Sequence, residues 1–104
     1  MSVATTNPYW VNYLAIVNKA EASWGGRKPP TLRQWRVNDI GTECHITGLI
    51  VGHPERFNGT TYTTPQVEQL WIKHAIVRTT TGEYFDLGMP ASPDQHQRLY
   101  ALCP

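Results

Sequence analysis

The closeness of the turn signals across residues 32–88 constrains this chain more than any other feature. Asn38-Asp39-Ile40-Gly41, the run from Gly52 to Asn58-Gly59, Pro65 and Thr79-Thr80-Thr81-Gly82 follow one another at short intervals. The links between them leave no room for a βαβ crossover. Hairpin pairing is what remains, so an antiparallel, strongly bent sheet of about five short strands is predicted.

The apolar runs give the strands. Leu32 to Val37 alternates well enough for a short strand, at a sheet edge where Arg33 and Arg36 stay solvated. Cys44 to Val51 is β-rich, and Gly48 inside it marks a bulge or bend. Thr60 to Thr64 reads as a short returning strand. Val67 to Thr79 also carries helical spacing at Leu70, Trp71, His74 and Val77. Its β-branched content and the hairpin that follows favour two strands with a break near Lys73-His74, and Glu83 to Leu87 as partner.

Helices close both ends. Asn7 is a good N-cap and Pro8 sits where a missing N–H costs nothing. Trp10, Tyr13, Leu14, Val17, Ala20 and Trp24 then repeat on one face, flanked by Tyr9 and Ile16, until Gly25-Gly26 supplies a stop. At the other end Ser92 caps, Pro93 takes the first position and Gln95 completes a capping box. Gln95, Leu99 and Leu102 are expected to face inward. The predicted class is α+β: helix 8–24, connector 25–31, sheet 32–88 and helix 93–102, in one domain over residues 1–104.

Composition narrows the function. Charged residues make up 16%, while four Trp and five Tyr supply large amphipathic side chains. A net charge of +1 argues against a general polyanion binder. The balance is uneven, with five Lys/Arg against two acids in residues 1–42 and four against six in 43–104. Two cysteines, Cys44 and Cys103, are too few for a disulfide scaffold, and the first residues carry no secretory pattern. A cytoplasmic protein with free thiols is expected.

Arg56-Phe57-x-Gly59, Thr63-Thr64, Val77-x-Thr79 and Gly82-x-Tyr84-x-x-Leu87-Gly88 together resemble a pattern in small uncharacterised proteins encoded on bacteriophages, plasmids and genomic islands. The pattern covers residues 43–88, describes a sheet module and carries no chemistry. The resemblance implies a mobile-element accessory protein, some of which block host defence systems stoichiometrically.

Two segments are candidates for function. Trp24, Arg27, Lys28, Arg33, Trp35 and Arg36 form a basic-aromatic stretch with no acid. Such a stretch suits an acidic protein surface or, alternatively, nucleic acid, unless the rings lie in the core and the charges merely solvate a connector. The loop containing His53, Glu55, Arg56 and Phe57 comes second, as a recognition loop or as an acid–base pair of His53 with Glu55. The histidines and cysteines show no metal-ligand spacing, and no nucleophile motif or cofactor fingerprint occurs. The expected function is a non-enzymatic protein-binding module, an inhibitor or accessory factor acting on a protein partner such as a host nucleoprotein complex. Nucleic-acid binding and a small enzyme around His53 and Glu55 are the alternatives. Homodimerisation through a Trp-bearing edge strand is compatible with each.

Overall fold

The computed structural model describes the backbone of residues 8–40 and 42–102, with side chains throughout except at 8–12, 39, 40, 72 and 102. Helix α1 (Pro8–Ala22) is followed by β1 (Thr31–Ile40), β2 (Glu43–Val51), β3 (Thr60–Thr63) and β4 (Val67–Trp71). A 3-10 turn (Ile72–His74), β5 (Ile76–Thr79), β6 (Tyr84–Leu87) and α2 (Asp94–Leu102) complete the chain. The class is α+β, and no helix among the described residues is long and apolar enough to cross a membrane.

Six strands form one sheet in the order β3-β2-β1-β6-β5-β4. Neighbours pair antiparallel except at the centre, where β1 and β6 run parallel through Thr31 opposite Asp86 and Leu32 opposite Leu87. This corrects the purely antiparallel expectation. Hairpin logic governs strands adjacent in sequence, but the parallel pair joins the first strand to the last, with four strands serving as the crossover. It also moves β1 from the expected edge to the centre, so residues 32–37 offer no free edge to a second copy. Strand β1 further absorbs the turn expected at 38–41, running to Ile40.

The order of the strands forces the sheet to curl. A flat sheet would hold its outer strands about 24 Å apart. The Thr64–Gln66 link from one edge to the other reaches about 14 Å at most. The link is pinned at both ends, Thr64 N–H donating to Ile46 O and Thr80 N–H to Gln66 O, each at 2.9 Å. The curl brings β2 into contact with β4.

Inside it lie Leu32, Trp35, Ile46, Ile50, Val77 and Phe85, all fully buried, with Leu99 of α2 among them. Trp35 is the largest of these, and its indole N–H donates to Gly88 O at 2.8 Å, so burial leaves no donor unpaired. Helix α2 sits over this tryptophan: the His96 ring meets it edge-on at 5.3 Å, and Gln95 Oε1 accepts the Val37 N–H at 2.9 Å. Gln95 is therefore spent on β1, and the expected capping box does not form; Ser92 Oγ turns to the Asp94 carboxylate.

Helix α1 covers the outer face of β5 and β6, burying Ile16 and Ala20 against Ile76 and Tyr84 with Trp71 alongside. Its buried stripe is rotated from the expected one, since Leu14 points outward at 53% exposure and Ile16 points in. The reason is that only one side of the helix meets the sheet, and Ile76 and Tyr84 set which. The expected contributions of Asn7, Trp10 and Tyr9 lie outside the described residues or side chains. The break expected near Lys73-His74 is present as the 3-10 turn, followed by Ala75 at φ +53°.

Candidate functional site

The basic-aromatic stretch is divided by the fold. Trp35 is wholly inside. Trp24 is half-buried, and its Nε1–H donates to Tyr84 O at 2.6 Å, sewing the end of α1 to β6. Trp35 thus presents no face for stacking, and Trp24 is spent on packing against the sheet. Arg27, Lys28, Arg33 and Arg36 are exposed, but Lys28 and Arg36 lie on different surfaces. Lys28 borders a cleft beneath α1, whereas Arg36 borders a hollow of about 240 Å³ on the outer face of β1 and β2, floored by Gly48.

The β2–β3 loop, 52–59, holds the second group together more tightly. Its ends are fastened by Gly59 N–H to Ile50 O at 2.8 Å and Gly52 N–H to Asn58 Oδ1 at 2.9 Å. Within it, the Glu55 N–H donates to His53 Nδ1 at 3.0 Å, so this imidazole nitrogen serves the backbone rather than the Glu55 carboxylate. The His53 ring lies 5.2 Å from Trp24 and 5.6 Å from Tyr62, and both of those rings lie against buried Phe85 at 5.5 and 5.6 Å. Four rings thus form a closed circuit from loop to core. Burial raises the Tyr62 phenol above its ordinary value. Over its outer side lies the Arg56 guanidinium, 5.4 Å from the centroid.

Beyond this anchored base, Phe57 stands in solvent with 89% of its surface exposed. Pro54, Glu55 and Arg56 are exposed around it.

A third location was not singled out by sequence reasoning. A cleft of about 520 Å³ opens between α1, the 28–31 connector and β5–β6. Glu21, Lys28, His74 and Asp86 line it beside Val17, Ile76 and other apolar groups. Asp86 is half-buried there, and desolvation raises its carboxyl above the usual aspartate range, with Lys28 opposing the shift. The available signal was a lone acid in Tyr84-Phe85-Asp86-Leu87, on the same strand face as Tyr84.

The histidines fall on separate elements. His45 bonds Thr64 O and Glu43, His74 packs on Tyr13 at 5.0 Å, and His53 and His96 join the ring contacts above. Cys44 is buried and disulfide-bonded, which corrects the expectation of free thiols. The other cysteine of the sequence, Cys103, lies outside the described residues. Compared with known protein families, curated proteins and solved structures, the chain matches none.

Proposed function

We propose that this protein is a non-enzymatic binding module that docks on a protein partner through the β2–β3 loop, with Phe57 as anchor and Arg56 beside it. The observation that carries this reading is the 89% exposure of Phe57 on a loop held by its own hydrogen bonds and a ring circuit. A phenylalanine on a floppy loop can fold back on apolar surface. One on a fastened loop is kept in water at a standing hydrophobic cost that a partner's pocket would remove. Preorganisation also reduces the entropy lost on docking. The partner class we propose is a protein complex of the kind that mobile-element accessory factors engage stoichiometrically.

The test is complex formation in the native host, read by co-purification and size exclusion with wild type, Phe57→Ala and Arg56→Ala. Loss of a central aromatic anchor weakens binding by about 30-fold or more. Undiminished binding by Phe57→Ala, or no stoichiometric complex at micromolar concentration, rules out this surface.

A second reading rests on Arg33 and Arg36. Both are exposed on β1, and the described ion pairs, His45–Glu43 and Arg78–Glu68, engage neither. Nucleic-acid binding through them would weaken steeply with salt, and a flat salt response removes it.

A further inference from the structure

The cleft beneath α1 holds a charge whose surroundings do not account for it. Asp86 sits on β6 between Thr31 of β1 and Ile76 of β5, facing α1. Each neighbouring strand is hydrogen-bonded to its backbone or adjacent to it, and the Asp86 N–H itself donates to Pro30 O at 2.9 Å. Its carboxylate is different. Among the described residues no hydrogen bond reaches it, and neither described ion pair includes it. Lys28 acts on it through its field from an exposed position at the rim. A half-buried carboxylate normally takes donors from its surroundings, because removal from water disfavours its charge.

We infer that this cleft binds a small organic ammonium, an amine carried on an apolar body, with Asp86 as its counter-ion. The cleft, about 520 Å³, falls in the range of small-molecule sites. Val17, Ala20, Pro29 and Ile76 supply apolar walls for the body, while Glu21 adds a second carboxylate on the helix side. With Glu21 and Asp86 against Lys28, the ionised carboxylates outnumber the ammonium, so a single positive charge brings the balance level. Lys28 is then a competitor: its exposed ammonium stays at the rim, where its field on Asp86 opposes the ligand's positive charge. The site is independent of the loop reading, since none of its residues belongs to residues 52–59.

The experiment is a titration of the ¹⁵N-labelled full chain with 2-phenylethylamine hydrochloride and butylamine hydrochloride, and with 3-phenylpropionate as anionic control. The amines should shift the amides of Thr31, Ile76, Asp86 and Leu87 together, and the carboxylate should not. Asp86→Asn should weaken amine binding by about tenfold or more, the loss of a charge-assisted hydrogen bond. Lys28→Ala should tighten it by about two- to fivefold, as expected for removing an exposed like charge. Lys28 is on the surface, so this second variant reports independently of any effect of Asp86→Asn on the fold. Equal binding of the carboxylate, weaker amine binding by Lys28→Ala, unchanged binding by Asp86→Asn, or no cleft shifts at millimolar amine would each overturn the assignment.

Discussion

Gly48 faces Trp35 across the β1–β2 ladder at a separation that admits no side chain. A Cβ on Gly48 would stand 3.2 Å from the Trp35 Cα and Cβ and 2.9 Å from the Arg33 carbonyl oxygen. The cause is a bulge: Arg33 pairs with Leu49 and Arg36 with Thr47, so Gln34 and Trp35 together oppose Gly48 alone. Gln34 takes φ +50°, and this extra residue changes the parity of the strand. Leu32, Trp35 and Val37 consequently all point inward, although strict alternation would put Leu32 and Trp35 on opposite faces.

Gly48→Ala should therefore destabilise by about 1–3 kcal/mol, the usual range for overpacking, because backbone atoms rather than a pliant side-chain tip stand in the way. Denaturant unfolding measures it. A change below about 0.5 kcal/mol, the size of an inert surface substitution, would mean that the ladder is looser than described.

Gln34 gives the complementary result. A left-handed backbone costs an L-residue about 1–2 kcal/mol, and glycine is exempt but loses more entropy on folding. Gln34→Gly should be neutral or slightly stabilising, whereas Gln34→Val, with its branched Cβ, should lose about 1 kcal/mol or more. Equal thermal midpoints for the two variants would contradict a bulge at this position.

The part of the architecture written locally was legible. Pro8 and Gly25-Gly26 bound the first helix, and the mixed pattern of 67–79 resolves into two strands around a 3-10 turn. Gly48 announced a bulge, although the inserted residue lies on the facing strand. What depends on closure was not legible. Nothing near Thr31 or Asp86 signals that they pair in parallel, because that follows from how six strands curl. The choice of Ile16 over Leu14 as a buried position depends on which face of β5–β6 the helix meets. Likewise Trp35 reads as an aromatic beside arginines until the sheet encloses it. Phe57 was legible as a loop aromatic, but its isolation from apolar surface depends on the His53 and Asn58 contacts that hold the loop.

Asp86 makes a pH prediction whose sign runs opposite to that of a salt-bridged aspartate. Its folded pKa lies above the ordinary 3.8, chiefly through desolvation, so the native state binds the proton more tightly than the unfolded chain. The group's cost to stability is absent below pH 3.8 and grows as the pH rises through the folded pKa. Asp86→Asn should then stabilise the protein at neutral pH, and the advantage should shrink in acid. Urea titrations of both proteins across that range measure the gap; a gap that widens on acidification contradicts the burial assigned to Asp86.

His45 shifts upward for a different reason. Its Nδ1 lies 2.9 Å from Thr64 O and its Nε2 2.8 Å from the Glu43 carboxylate, two acceptors that favour the imidazolium. Its stabilising contribution is complete below the unfolded value of 6.5 and is lost as pH rises through the higher folded value. Glu43→Gln should lower the His45 pKa only part of the way, because the Thr64 carbonyl is the larger cause. An NMR titration of the His45 ring reads this directly, and a pKa indifferent to Glu43 would show that the contact does not persist in solution.

The fastening of the β2–β3 loop can be separated from the stability of the core. His53 belongs to the loop and touches Trp24 and Tyr62, which in turn rest on Phe85. His53→Ala removes the loop's ring contacts with Trp24 and Tyr62, together with the acceptor for the Glu55 N–H, and takes no fully buried side chain out of the core. Global stability should change by less than about 1 kcal/mol, as for a part-exposed side chain, yet local opening of the loop should become easier. Trypsin cleavage after Arg56 reports that opening. Wild type should resist at native conditions, and His53→Ala should be nicked there well before the rest of the chain is digested. Trp24→Phe keeps a ring against Phe85 but leaves Tyr84 O without its donor, so it should lose about 1–2 kcal/mol globally. If His53→Ala and wild type are nicked at the same rate, the ring circuit does not hold the loop, and the exposure of Phe57 loses its rigid support.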